Sequence, residues 1–411
     1  MSSGPDTERR KIVAFPSKLP QRTIRDPRID VFRGLALIMI VIDHIPGNPY
    51  ERFTLRAFGF SDAAEAFFLM SGIAAGIAYS GGFLKLRQGA GTIGAAVLPL
   101  WRRAWTLYLV QLFLTICVLG MYAWAADTFL RSEFRIQHNL GLIYSETGSA
   151  LTGLATLSYQ IGYVNILPVY IVLLLFAPIA LWGAMRAPFV TLALSGALWL
   201  AGGWNRWNIP NDPGGGGWFF SPFAWQAIFV LGLVIGVRHR AGRRLVPISR
   251  PLLWTAITFL VLVLAWRNIP ALGIYLNHKM AQLGAMGVPF NVVSHNKTYL
   301  AAPRFLHMLA LAYVVSCLPW ITRACASRGA AAFRLLGRQG LVVFAGGTIL
   351  AMASQILMDV EPDVAWLGLV LPVAAVAMLF VIAGLKDGWT IFRARKAPPE
   401  EERESSVAVS K

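Results

Sequence analysis

The sequence predicts an all-α polytopic membrane protein of about ten transmembrane helices, with both termini cytoplasmic. Three observations carry that prediction. Of the 411 residues 56% are hydrophobic and 14% charged, with a mean hydropathy of +0.58, more apolar surface than a water-soluble fold can bury. The apolar residues fall into runs near the roughly 20 residues that a helix needs to cross a bilayer. Lys and Arg alternate between rich and poor connecting segments.

Taken in chain order, the candidate spans lie near 31–46, 62–80, 97–125, 163–184, 188–204, 219–237, 251–267, 303–321, 338–358 and 364–385. The segment 273–300 mixes Asn277, His278, Lys279, His295 and Lys297 into apolar sequence, and reads as a surface-lying or re-entrant piece. With the amino terminus inside, inward segments hold 28 of the 37 Lys and Arg, and outward ones the other nine. Cytoplasmic loops carry such an excess, and an even number of spans returns the carboxyl terminus inside.

Residues 1–30 form a basic cytosolic tail without the apolar core of a signal peptide. Residues 31–385 are the transmembrane domain, and 386–411 a charged cytosolic tail too polar to bury anything and expected to be disordered. The net charge of +17 is explained by topology-setting loops and phospholipid headgroups. No basic run interleaved with aromatics points to nucleic acid, and no repeat marks a solenoid or a two-halved transporter. Cys117, Cys317 and Cys325 have no metal-ligand spacing and read as packing residues, so no metal is expected.

The first span holds the most informative pair, Asp43 and His44, eleven positions beyond Arg33. Ionisable groups at membrane depth are costly and usually functional. Eleven residues are about 16 Å of helix and close to three turns, so Arg33 and His44 fall on nearly one face, half a membrane apart. His44 has the chemistry of a general base, and Asp43 could support it. Helix neighbours point about 100° apart, however, so a direct bond between them does not follow. A His satisfied at a helix end, before Pro46 and Gly47, is the plainer alternative.

The second span opens with Asp62 as a natural N-cap and Glu65 three residues on, a capping-box pattern. Glu65 could instead face an inner cavity. Ser71-Gly72 supplies small residues for close helix approach, and no base at a diagnostic spacing makes Ser71 a nucleophile. Arg102 and Arg103, at the inner end of the third span, could grip phosphate bidentately or simply contact headgroups. Arg304 and His307 share a helix face at the outer end of a later span. Trp204, Trp207, Trp218 and Trp225, amid Asn205, Asn208, Asn211 and Asp212, suit either sugar stacking or an interfacial aromatic belt.

Together these features resemble a known group. Asp30 and Arg33, Arg33-Gly34, His44 eleven beyond the Arg, and Phe67-Phe68-Leu69-Met70-Ser71-Gly72 look like the opening of the membrane acyltransferase 3 superfamily. Asp43-His44-Ile45-Pro46-Gly47 narrows the resemblance to the OpgC family of periplasmic glucan succinyltransferases. Matches continue through Ile166 to Leu174, Gly216 to Gln226, Arg304-Phe305-Leu306-His307 and Leu336-Gly337-Arg338-Gln339, so the resemblance covers roughly 25–385. Two departures stand out: Asn165 replaces an expected Asp, and the ninth span lacks a late Tyr-Leu-x-His ending.

The resemblance implies a multi-pass enzyme of the bacterial inner membrane that takes a succinyl group from cytosolic succinyl-CoA and esterifies hydroxyls of a periplasmic glucan. It implies His44 as the leading catalytic residue, with Arg33 at the site; Asp43 remains the second catalytic candidate from the reading of the pair itself. Acyl transfer needs a base, donors for an oxyanion and cations for the CoA phosphates. Arg33, Arg102, Arg103 and Ser71 are therefore the candidates for the acyl donor. Glu65, Arg304, His307, Trp218, Trp225 and Gln226 are the candidates for the substrate, with Arg33 or Arg304 suited to the succinyl carboxylate. An acetyl-CoA-dependent polysaccharide O-acetyltransferase, and a transporter or flippase for a sugar-containing substrate, are the alternative readings.

Overall fold

The computed structural model describes residues 26–396; the first 25 and the last 15 residues, where most of both expected tails lie, fall outside it. The described residues are helical, with an isolated bridge between Pro210 and Gly217 in place of any strand. Helices recur at the ten expected positions, overrunning the second and tenth expected ends by 7 and 11 residues and breaking in two at the eighth, because bilayer-length apolar runs leave the backbone few alternatives to a helix.

Helix α1 (Pro27–Asp43) starts on an Asp26 cap with Pro27 in the first turn, and ends at His44. A 3-10 turn (Pro49–Phe53) and the short α2 (Leu55–Phe58) lead into α3 (Ala63–Arg87). The expected capping box is present at its start: Asp62 Oδ1 accepts from the Ala64 amide at 2.8 Å, and Glu65 Oε2 from the Asp62 amide at 2.9 Å. The long α4 (Ile93–Thr128) returns to the end of the bundle where α1 finishes, and there α5 (Gly141–Ser145) and α6 (Thr147–Thr156) form a compact excursion. Then follow α7 (Ile166–Arg186), α8 (Pro188–Trp204), α9 (Pro222–Arg240) and α10 (Arg250–Asn268).

The mixed segment after α10 divides in two. Its first half is α11 (Pro270–Ala285), and its second half, to residue 301, contains no further helix and runs back to the bundle. Helix α12 (Ala302–Cys317) breaks into α13 (Pro319–Ala326) through a 79° bend, where Leu318 is held extended before Pro319. The chain closes with α14 (Ala331–Arg338), α15 (Gly340–Val360) and α16 (Leu367–Lys396).

Seven of these helices are long and apolar enough to cross a bilayer, eight if α12 and α13 form one span. Helices α1 and α8, at 17 residues each, reach only about 26 Å and stand at the lower limit of a bilayer's core. The protein is thus a multi-pass helical membrane protein.

The tightest seam joins α3 to α9. Gly72 and Gly76 on one helix face Gly232 and Gly236 on the other, and a Cβ at any of the four would strike a backbone carbonyl across the seam. Two such small-residue pairs let the backbones touch, which is how helices associate where lipid removes the hydrophobic driving force. Ser71 lies buried beside this contact, in keeping with a packing role. Placing leucine at Gly236 should force α3 and α9 apart at a cost of about 3 kcal/mol, seen as a lowered thermal midpoint in detergent; an unchanged midpoint would refute the close seam.

A second close approach explains Arg33-Gly34. Gly34 lets α14 lie against α1, and Arg33 Nε donates to the Gly337 carbonyl at 2.6 Å while its terminal nitrogen reaches Asp30 at 3.1 Å. The guanidinium therefore satisfies a carbonyl in the last turn of α14, at the end of α1 remote from His44.

Candidate active site

Where α1 ends and α3, α7 and α12 begin, the bundle opens into a cavity of about 1300 Å³. Ile40, Ile166 and Phe344 line it from the helices, and Asp43 and His44 face it from the end of α1. The cavity therefore takes its floor from helices and its walls from the loops between them.

His44 is the C-cap of α1. Its amide bonds back to the Ile40 carbonyl at 3.1 Å, and its carbonyl accepts from Gln355 Nε2 of α15 at 2.6 Å. The imidazole stands edge-on to the Tyr163 ring, centroids 4.7 Å apart. Asp43 points elsewhere: its carboxylate accepts from Thr54 Oγ1 at 2.7 Å. The pair thus shares the cavity without the direct bond that adjacency might suggest, as the 100° helical step requires.

One wall carries charge. Arg304 reaches from α12 to bridge both acids of the capping box, with Nε 2.7 Å from Glu65 Oε1 and a terminal nitrogen 2.9 Å from Asp62 Oδ2. Lys297 lies 2.6 Å from the same Asp62 oxygen. Glu65 is fully buried behind this wall, and Arg304 nearly so. Two cations against two carboxylates leave the cluster balanced, and each oxygen of Asp62 and Glu65 has a donor, which makes such burial tolerable. Arg56 and Arg267 add positive charge to the lining.

His295 stacks on Phe60, ring centroids 4.3 Å apart. Burial holds its imidazole below its ordinary value, and Arg304 and Arg267 add to the shift. It is therefore a neutral ring at neutral pH.

Another part of the wall is uncharged. Asn139, Gln160, Asn165, Asn208 and Asn211 line it, with Trp218 and the glycine turn Gly214 to Gly217, and Lys297 borders it with its ammonium 5.8 Å from the Phe219 ring centroid. Trp218 Nε1 donates to the Ser158 carbonyl at 3.3 Å, which ties the turn to the loop before α7.

The structure gathers His44, Asp43, Arg304 and Trp218 into one cavity and places other anticipated residues behind or away from it. Glu65 stands behind as the partner of Arg304. His307, one turn along α12 from Arg304, turns to Ser61, with Nδ1 2.6 Å from Oγ, and its ring packs on Gly59, where any Cβ would collide. Trp225 is fully buried and donates to the carbonyls of Lys297 at 3.0 Å and Thr298 at 3.2 Å, which anchors the segment carrying Lys297. Gln226 exchanges two hydrogen bonds with Ser195 of α8. Ser71 lies in the α3–α9 seam. Arg33, Arg102 and Arg103 sit toward the opposite end, Arg102 exposed and Arg103 partly buried.

Sequence reasoning did not single out Arg56, Asn139, Gln160 or Tyr163. They lie in connecting segments without periodicity, where only the fold reveals which side chains meet. Lys297 and His295 belonged to a segment marked by its mixed character, and that mixture was the available signal.

A family model described as OpgC protein matches residues 25–390. Neither the curated proteins nor the solved structures contain a significant match.

Proposed function

This chain belongs to the OpgC protein family, which makes it a membrane acyltransferase-like protein of glucan modification, and we propose that it moves a succinyl group from succinyl-CoA to glucan hydroxyls. The donor comes from the cytosol, and the acceptor from the periplasmic face of the bacterial inner membrane. One observation carries this reading: His44, the base candidate, faces a large cavity whose lining includes five uncharged amides. Such amides suit a neutral polyol better than an ion.

In the proposed reaction His44 takes the proton of a sugar hydroxyl as its oxygen bonds to the thioester carbonyl carbon. The carbon–sulfur bond then breaks, and the imidazolium returns its proton to the departing CoA thiolate. An alternative order, with the acyl group first carried on His44, uses the same residues. Arg102, Arg103 and Arg33 supply cations toward the opposite end, where the phosphates of a cytosolic CoA would lie. The hydroxyl-bearing acceptor, the acyl-CoA donor and the surrounding lipid are the partners this reading requires; it needs no metal.

Mass spectrometry of periplasmic glucan tests it. Cells lacking the protein should lose a succinyl mass increment, and the wild-type chain should restore it. An acetyl increment would keep the chemistry and change the donor. Glucan unaltered by the deletion would sink the reading.

A further inference from the structure

The five amides of the uncharged wall divide into two groups. Asn208 donates to the Trp218 carbonyl at 2.8 Å and accepts from the Ile209 amide at 2.9 Å. Asn211 accepts from the Gln160 amide nitrogen of the main chain at 2.9 Å. These two hold the glycine turn in place, where Gly215 and Gly216 take φ of +77° and +68°. The side chains of the other three, Asn139, Gln160 and Asn165, have no hydrogen-bond partner among the described residues.

Two of the three, Gln160 and Asn165, are in settings where an idle amide is unexpected. Gln160 is 5% exposed, and both its amide nitrogen and its amide oxygen are shielded and unpartnered. Native chains rarely leave buried polar groups unsatisfied, so such a group calls for an explanation. Asn165 occupies the N-cap position of α7 yet makes no capping bond, leaving its side chain toward the cavity it lines. Asn139 is the exposed member of the set and holds φ of +66°, a conformation that Asn accepts more readily than most residues. Tyr163, between Gln160 and Asn165, is the ring against which His44 stands.

We propose that Asn139, Gln160 and Asn165 form the acceptor subsite, taking the hydroxyls of a neutral sugar unit beside His44. An amide both donates and accepts, as a hydroxyl does, so the two satisfy each other in either direction. A carboxylate only accepts, so it would use half of what each amide offers. The departure at position 165 then has a meaning: an amide there serves a hydroxyl without adding a charge to the uncharged wall. This subsite rests on the glucan-modifying role proposed above and deepens it.

The test is binding of a purified glucan oligosaccharide to the full-length protein in detergent, by calorimetry, together with its thermal midpoint. Gln160→Met and Asn165→Ala should each weaken binding by about tenfold or more, the scale on which sites built for a hydroxyl depend on their polar groups. Gln160→Met should leave the midpoint unchanged or raise it, since it removes an unsatisfied amide in favour of an apolar group of similar shape.

Wild-type binding by both variants would overturn the subsite and leave the transferase reading untouched. Binding and thermal midpoint lost together in Gln160→Met would assign Gln160 to the fold, which also overturns it. Binding that depends on Gln160 in a protein whose deletion leaves glucan unmodified would sustain the subsite and sink the transfer.

Discussion

Replacing His44 by Ala is expected to lower glucan acylation by about 10²–10⁴-fold, the range contributed by a positioned general base. The protein should still insert and accumulate. The hydrogen bonds at residue 44 belong to its backbone, namely the amide to Ile40 and the carbonyl to Gln355, and alanine keeps both. What the substitution removes is the imidazole facing the cavity and its edge contact with Tyr163. The measurement is the acyl content of glucan from complemented cells, normalised to the amount of protein in the membrane. An alanine variant with full activity would exclude His44 as base and as acyl carrier alike. Asp43→Asn should cost far less, because that carboxylate serves Thr54 rather than the imidazole.

Arg304→Met is expected to destabilise the protein by about 3–5 kcal/mol, the usual penalty for stripping one partner from a buried ion pair. Glu65, fully buried, would keep its Oε1 without its cation, and Asp62 would retain only Lys297. Arg304→Lys preserves charge but lacks the fork that spans two carboxylates, so it should recover a part of the loss. Adding Glu65→Gln to Arg304→Met should recover another part by removing the stranded charge. Thermal unfolding in detergent reads all three, and a single Arg304→Met variant as stable as wild type would refute the bridging role. Because the cluster joins the start of α3 to α12, the same variant should also disturb the cavity, so activity must be compared at equal folded fraction.

The sequence alone went furthest where one dominant physical constraint acted locally. Bilayer thickness places the helices: helix recurs at the ten expected positions, although the eighth is broken by a 79° bend and seven or eight helices are long and apolar enough to span. The Asp62 and Glu65 spacing writes its own capping box, since both bonds close within four residues. His44 was visible because an imidazole beside a carboxylate in an apolar run needs a reason. Ser71-Gly72 announced close packing, and the seam with α9 supplies it.

Tertiary structure decided what those residues do for one another. Arg304 suited a succinyl carboxylate by sequence, yet it meets Glu65 at a separation of 239 positions and is already held by two acids. His307 shares its helix face but turns to Ser61, and Trp225 and Gln226 brace neighbouring segments instead of lining the cavity. The amides of the uncharged wall come from three separate stretches of chain, each a loop or short turn; the tryptophans mark Asn208 and Asn211 along the chain, but nothing local joins Asn139, Gln160 and Asn165 to them. Hydrophobic periodicity and caps are properties of neighbouring residues and can be read along the chain. A cavity is a property of residues that are neighbours only after the helices have packed.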